Sequence, residues 1–281
     1  MANKKNLVLT IILLAAFFAL AWYVNFETDS YIRRGVNLCM VYAFIFLFIN
    51  LTNGFTGQFS LGQAGFMAIG AYVVGIFTVP VALRPAVFYA APMNPLIADI
   101  YMPLWLALLV GGLLAALVAF LIGTPVLRLR GDYLAVATLG FSEIIRIVIT
   151  NAQTITNGAL GIKDIPPLND VRYIFVFTAA IFIFITALIN SSYGRAFKAI
   201  REDEIAAEAM GIDLFKHKCL AFMISAFFAG IGGGLYGALL GTVDPKNFLF
   251  TLTYNFLLII VLGGMGSITG SMIGAVLVTA G

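Results

Sequence analysis

Charge is the scarcest property of this sequence. Asp, Glu, Lys and Arg make up 10% of its 281 residues, where a soluble domain carries about 25%. That scarcity excludes an ordinary water-soluble domain. No basic patch interleaves with aromatics outside the apolar runs, which excludes a nucleic-acid surface. Histidine occurs once, as His217, at a loop end beside two lysines, and reads as a solvated surface group. Cys39 and Cys219 stand alone in different segments. They supply neither a metal spacing nor a disulfide framework and read as inert packing. No cluster of His, Asp or Cys gathers as a polytopic membrane enzyme would need, and no metal site is expected. No GxxxxGK(S/T) occurs, so the chain lacks the phosphate loop with which to hydrolyse ATP. Gly232-Gly233-Gly234 lies inside an apolar run and reads as small-residue helix packing.

What is abundant is apolar. Hydrophobic residues make up 62% of the chain, in long runs without the rhythm of a half-buried strand or helix. Lys4 and Lys5 precede the first, Leu7–Val24. Ala19-Leu20-Ala21 near its end resembles a signal-peptidase site, so cleavage is the rival to an uncleaved first span. Further runs cover Val36–Leu51, Ser60–Pro80, Leu104–Ile122, Tyr133–Thr150, Tyr173–Ile189, Cys219–Leu240, Phe248–Leu262 and Ile268–Gly281. A helix rises about 1.5 Å per residue, so roughly 17 to 22 residues span a hydrocarbon core about 30 Å thick. The fold class expected is an all-α polytopic membrane protein in one domain over residues 1–281, with about nine transmembrane or re-entrant helices. The last run stops at Gly281 without a polar flank, which reads as truncation of a longer chain. The proline-rich stretch from Pro80 to Pro103 reads as an irregular connection outside the membrane.

Basic residues set the orientation. With the N-terminus in the cytoplasm, inside loops hold Lys4, Lys5, Arg128, Arg130 and the five basic residues of Ser191–Lys218. Outside loops hold Arg33, Arg34, Arg84, Lys163, Arg172 and Lys246. The bias places Ser191–Lys218, SSYGRAFKAIREDEIAAEAMGIDLFKHK, in the cytoplasm. Read as one helix, Lys198–Ile212 puts Ile205, Ala209 and Ile212 on one face, and Arg201, Glu204 and Glu208 on another. Glu204 and Glu208 are like charges four apart, which suits a basic protein groove better than anionic lipid. Gly211 is expected to end that helix.

Two other stretches break the apolar pattern. NGFTGQFSLGQAG, Asn53 to Gly65, carries no Lys or Arg. It reads either as a re-entrant segment or as a cytoplasmic loop. Ser60-Leu61-Gly62-Gln63 fits a capping box at a helix start. GGMGSITG, Gly263 to Gly270, is a second small and polar interruption. Paired interruptions point to a translocation path in transporters built on repeats, and an internal inverted repeat is one reading of the pair. Tight packing through small residues is the other. The candidate pathway residues are Asn53, Gly54, Gln58, Ser60, Gln63, Gly264 and Ser267, with Glu143 and Arg146 in the fifth run. Glu143 lies roughly 15 Å into that run, where an ionised group needs a partner. An ion pair with Arg146 is the simplest.

GRAFKAIREDEIAAEAMGID (Gly194 to Asp213) and KHKCLAFMISAFFAGIGGGLYG (Lys216 to Gly237) resemble the permease subunit of branched-chain amino acid ABC importers. LTNGFTGQFSLGQAGFMAIGAY (Leu51 to Tyr72) and VLGGMGSITGSMIGA (Val261 to Ala275) match the same family, in the same order. The resemblance implies one permease of a pair in the inner membrane of a bacterium, in contact with lipid. Its implied partners are a homologous second permease, two cytoplasmic ATPase subunits carrying ATP and Mg²⁺, and a periplasmic amino-acid-binding protein. No cofactor is implied in this chain itself. The ATPase contact falls on Arg201, Glu202, Asp203, Glu204, Ile205, Glu208, Met210 and Gly211. Leucine, isoleucine and valine are the implied cargo, with urea or short amides as alternatives. An ion-coupled transporter or channel is the reading from another class, and the near absence of ionisable groups in the spans weighs against it.

Overall fold

The computed structural model describes residues 30–129, 131–168, 170–270 and 273–275. The expected first span Leu7–Val24, with Lys4, Lys5 and the Ala19-Leu20-Ala21 site, lies outside the described residues, as do Arg130 and most of the last run. Twelve α-helices are described: α1 (Ser30–Asn50), α2 (Gln63–Thr78), α3 (Arg84–Val87), α4 (Pro95–Ala98), α5 (Leu104–Val126), α6 (Asp132–Asn151), α7 (Gln153–Thr156), α8 (Val171–Asn190), α9 (Ser192–Glu202), α10 (Glu204–Ala209), α11 (Leu214–Leu240) and α12 (Phe250–Gly263). Among the described residues no strand forms; an isolated antiparallel bridge joins Ile162 to Val243.

The all-α membrane architecture expected from the apolar runs is what the chain adopts. Among the described residues, five helical stretches are long and apolar enough to cross a membrane: Tyr31–Phe55, α5, α6, α8 and α11. Two bent pairs bring the total to as many as seven. In one, α2 turns by 96° into Val81–Val87. The other pairs α12 with the described part of the ninth expected run, bent by 119°. Helix α2 has 16 residues, about 24 Å, which is shorter than a hydrocarbon core of about 30 Å.

Glycine fixes the centre. Helices α2, α5 and α11 cross so closely that a Cβ on Gly70 would sit 1.8 Å from the Gly230 carbonyl oxygen, and one on Gly233 2.0 Å from that of Met67. A Cβ on Gly230 would stand 2.8 Å from the Gly111 oxygen. In lipid, helices gain little from the hydrophobic effect against one another, so backbone-close packing through small residues holds them. This bears out the packing reading of Gly232-Gly233-Gly234. Helix α1 leans on the same face, with Phe44 and Phe48 against Gly232.

Helix ends sort into two groups. At the proline-rich end, the expected irregular connection contains α3 and α4, held by a buried arginine. Arg84, 3% exposed, donates to the carbonyls of Val79, Ile97, Ala98 and Ile100 at 2.5–3.2 Å. Asn157 donates to Val87 and Gly161, and the Ile162–Val243 bridge closes the layer. Asp170 caps α8 by accepting from the Arg172 amide at 3.0 Å. Hydrogen bonds from the Arg172 guanidinium hold the Asp170 carboxyl below the usual carboxylate range. The opposite, charged end carries residues 51–61, α9, α10 and the turn after α12.

The glycine crossing gives a direct test. Gly230→Ala forces a methyl into backbone and should cost about 1–3 kcal/mol or more. Gly140→Ala, where a Cβ meets nothing within 4 Å, should leave stability unchanged. Thermal-aggregation midpoints of the solubilised protein read the difference; equal midpoints would refute the crossing.

Candidate functional site

At the charged end, α1 loses its regular ladder where the sequence turns small and polar. Leu51–Phe55 opens into a π-turn, closed by Thr56 N–H donating to the Leu51 carbonyl at 3.2 Å. Gly57, with φ +67°, reverses the chain. Such turns recur at functional sites, and irregular backbone at membrane depth survives only against protein or water. Here it lies against protein. Asn53, Gln58, Ser60 and Gln63 are 0–2% exposed. The Asn53 side chain bridges the bend, accepting from Ser60 N–H at 2.9 Å and donating to the Ser60 carbonyl at 3.3 Å. The segment is thus largely packed against protein, with Gly57 and Phe59 exposed at the bend.

The expected capping box at the start of α2 does not form. Gly62 occupies the cap with no side chain to offer, and Gln63 turns away to donate to Ser225 Oγ at 3.3 Å. The physical reason is close packing. A Cβ on Gly62 would lie 3.0 Å from the Thr138 oxygen, and one on Gly65 2.9 Å from Ser142 Cα. Pressed against α6 in this way, the helix start is capped by its neighbours. Thr253 Oγ1 accepts from Ala64 N–H at 2.9 Å, and Thr138 Oγ1 accepts from Leu61 N–H at 3.0 Å. Ser225 in turn donates to the Phe48 carbonyl at 2.8 Å. Sequence reasoning missed Thr138, Ser225 and Thr253. The available signal was a Ser or Thr hydroxyl within each of three apolar runs.

The second interruption meets the first. Gly264 and Gly266 have φ of +97° and +78°, which shapes the turn after α12. Asn50, 1% exposed, accepts from Gly266 N–H at 2.8 Å and donates to the Ser267 carbonyl at 2.9 Å. Asn50 was likewise not singled out from sequence.

The charged segment is not one helix. It breaks at Asp203, whose backbone is extended (φ −158°, ψ 112°). Asp203 Oδ1 accepts from the amides of Ile205 and Ala206 at 2.8 and 3.1 Å. An aspartate offering its carboxylate to free amides starts a new helix more readily than it continues an old one. The expected continuous helix Lys198–Ile212 is therefore replaced by α9 and α10, and its single apolar stripe is lost. Phe197, Ile200 and Ala207 are the buried contacts instead, while Ile205 is 73% exposed. Gly211 ends α10 as expected. With φ +83°, it places its amide on the Glu208 carbonyl at 2.9 Å and that of Ile212 on Ala207 at 3.1 Å, a Schellman closure.

The break redirects the charges. Glu204 Oε1 pairs at 2.5 Å with Lys218 Nζ, whose side chain is 8% exposed. The Lys218 carbonyl accepts from Gln58 Nε2 at 3.1 Å. Arg201 pairs with Glu202 and reaches inward, Nη1 donating to the Gly54 carbonyl at 3.2 Å. Glu208 and Gly211 are exposed, and Met210 is 83% exposed. Glu143 and Arg146 form the expected pair, Oε2 to Nε 2.7 Å, each about a quarter exposed. They lie along α6 and outside the contacts that join Asn50, Gly54, Gly266 and Arg201. Among the described residues no group of His, Cys, Asp or Glu could hold a metal ion.

A family model described as branched-chain amino acid transport system / permease component matches residues 31–280. The chain is 35% identical to the high-affinity branched-chain amino acid transport system permease protein LivM of Escherichia coli, over 85% of this chain and 60% of that protein. It is 28% identical to the probable branched-chain amino acid transport permease protein LivM of Methanocaldococcus jannaschii, over 83% of this chain and 75% of that one. The Salmonella typhimurium permease protein LivH of the same kind of system is 32% identical over 50% of this chain and 45% of its own. The chain thus spans less than two thirds of the Escherichia coli relative. No solved structure matches it.

The caps supplied by neighbouring helices are testable. Thr253→Val leaves the Ala64 amide bare and should destabilise the protein by about 1 kcal/mol, while Thr253→Ser should restore most of it. Denaturant or thermal midpoints in detergent check this; a neutral Thr253→Val would show that α2 starts without that cap.

Proposed function

The chain belongs to the branched-chain amino acid transport system permease family, and from that membership we propose that it is one transmembrane half of an ATP-driven importer. Its cargo is leucine, isoleucine and valine, delivered by a binding protein at the proline-rich end. Two ATPase subunits dock at the charged end, in the cytoplasm together with the N-terminus, and a homologous permease completes the channel in the inner membrane. The match of LivH to half of this chain supports a related permease as the partner.

One observation carries the reading. A bracket of two short helices hangs from an otherwise apolar bundle with its inner side anchored and its tip bare. Phe197, Ile200 and Ala207 are buried, Glu204 is tied to Lys218, and Ile205 and Met210 stand 73% and 83% exposed beside Glu208. Apolar side chains held out on a rigid acidic tip fit a protein groove with basic walls. Of the two acidic candidates, Glu208 is the one open to a partner, because Glu204 is engaged within the chain. ATP-driven closure of the partners would move the bracket and rock the helices behind it, opening the channel to each side in turn.

Copurification and uptake by the reconstituted complex test this. Met210→Asp or Glu208→Arg should weaken capture of the ATPase subunits about tenfold, the size of one interface hot spot. Glu204→Gln should act less, through loosening of the bracket. Glu143→Gln should lower uptake without lowering the amount of permease in the membrane, if the partly exposed pair borders the path. Uptake that proceeds without ATP hydrolysis would sink the importer reading.

A further inference from the structure

We infer that Arg201 is a positioning residue that fastens the bracket to both interrupted segments, so that α9 and the turn at residues 51–57 move as one body. The inference rests on the importer reading and concerns how force enters the bundle. Arg201 stands at the end of α9 with its side chain about a third exposed, and its guanidinium turns back toward the bundle. Its Nη1 donates to the Gly54 carbonyl within the π-turn at 3.2 Å, while its pairing with Glu202 keeps the fork on the bracket.

The surface it reaches is made of glycine. A Cβ on Gly57 would lie 2.9 Å from Arg201 Cγ, and one on Gly266 2.7 Å from Arg201 Nη1. A Cβ on Gly54 would meet Gly266 N at 2.4 Å. The guanidinium therefore lies where two backbone segments are bare, and any side chain there would displace it. From Gly54 the connection continues, because Asn50 holds Gly266 N–H and the Ser267 carbonyl. One path of hydrogen bonds and backbone contact thus runs from the bracket through the first interruption to the second. The π-turn, a feature frequent at functional sites, sits at its middle. A guanidinium grips a carbonyl and a carboxylate at once, which a lysine ammonium does with less geometric control.

The test uses the reconstituted complex with its ATPase subunits and binding protein. Arg201→Gln should copurify with the ATPase as the parent does and keep its ATP hydrolysis, while uptake per ATP falls about tenfold, a typical coupling loss. Arg201→Lys should recover part of it. Normal uptake by Arg201→Gln, or loss of the ATPase from the complex, would overturn the proposal; the latter would make Arg201 a docking residue. A second variant guards against misfolding. A Cβ at Gly57 lies 3.3 Å from Arg201 Cβ, close to the disulfide spacing of about 3.5–4.5 Å. Gly57→Cys with Arg201→Cys, in a background of Cys39→Ala and Cys219→Ala, should therefore cross-link and transport when oxidised, losing uptake when reduced. Uptake blocked by oxidation and restored by reduction would show that the two segments slide past each other, which also overturns the proposal. Failure of the parent complex to take up substrate with ATP would instead defeat the importer reading itself.

Discussion

Everything in this molecule is referred to the place where α2, α5 and α11 touch backbone to backbone. At Gly70, Gly111, Gly230 and Gly233 no side chain separates the helices. The attraction is the sum of many dispersion contacts, each about 0.1–0.2 kcal/mol, gained only because the approach is so close. A crossing of this kind fixes depth as well as angle. Gln63 lies seven residues before Gly70, so the start of α2 is held about 10 Å along the helix from the crossing. Its first amides open into the bundle interior, and hydroxyls of α6 and α12 serve them.

Both ends face the same difficulty and answer it in the same way. Irregular backbone has donors and acceptors that water would normally satisfy. At the proline-rich end, one buried guanidinium, Arg84, takes four carbonyls. At the charged end, the Asn50 and Asn53 amides and the Arg201 guanidinium do the equivalent work. The two arginines differ in consequence. Arg84 closes a loop onto itself, whereas Arg201 joins parts far apart in the chain.

Much of this was legible in the sequence because the strongest influences on it are local. Apolar runs announce crossings, and stretches of small residues announce close packing. Gly211 announces a helix end because only a residue without a Cβ adopts its backbone cheaply. What was not legible depended on competition between local signals and tertiary contact. The amphipathic period over Lys198–Ile212 is genuine, but Asp203 could serve as an interior residue or as a cap, and the packing of Phe197 and Ile200 decided for the cap. Ser60 and Gln63 have capping-box spacing, but Gly62 and Gly65 pressed against α6 left Gln63 a better partner in Ser225. Counting basic residues by loop places Arg201 and Lys218 in the charged loop and says nothing of what they hold. Only the folded bracket shows both engaged within the chain.

Helix α11 has 27 residues, a length of about 40 Å against a hydrocarbon core of about 30 Å. The surplus is accommodated by tilt, by emergence from the membrane or by deformation of the bilayer. Tilt is restrained, since the glycine crossing binds α11 to two neighbours that would have to turn with it. Emergence suits the sequence, because the first turns carry Lys216, His217 and Lys218 behind the Asp213 cap. The surplus length therefore falls at the end where α11 joins the bracket through Lys218. A mismatch of this kind ties the setting of the charged end to the thickness of the bilayer around it, by the general rule that a span longer than the hydrocarbon must tilt, emerge or deform the lipid.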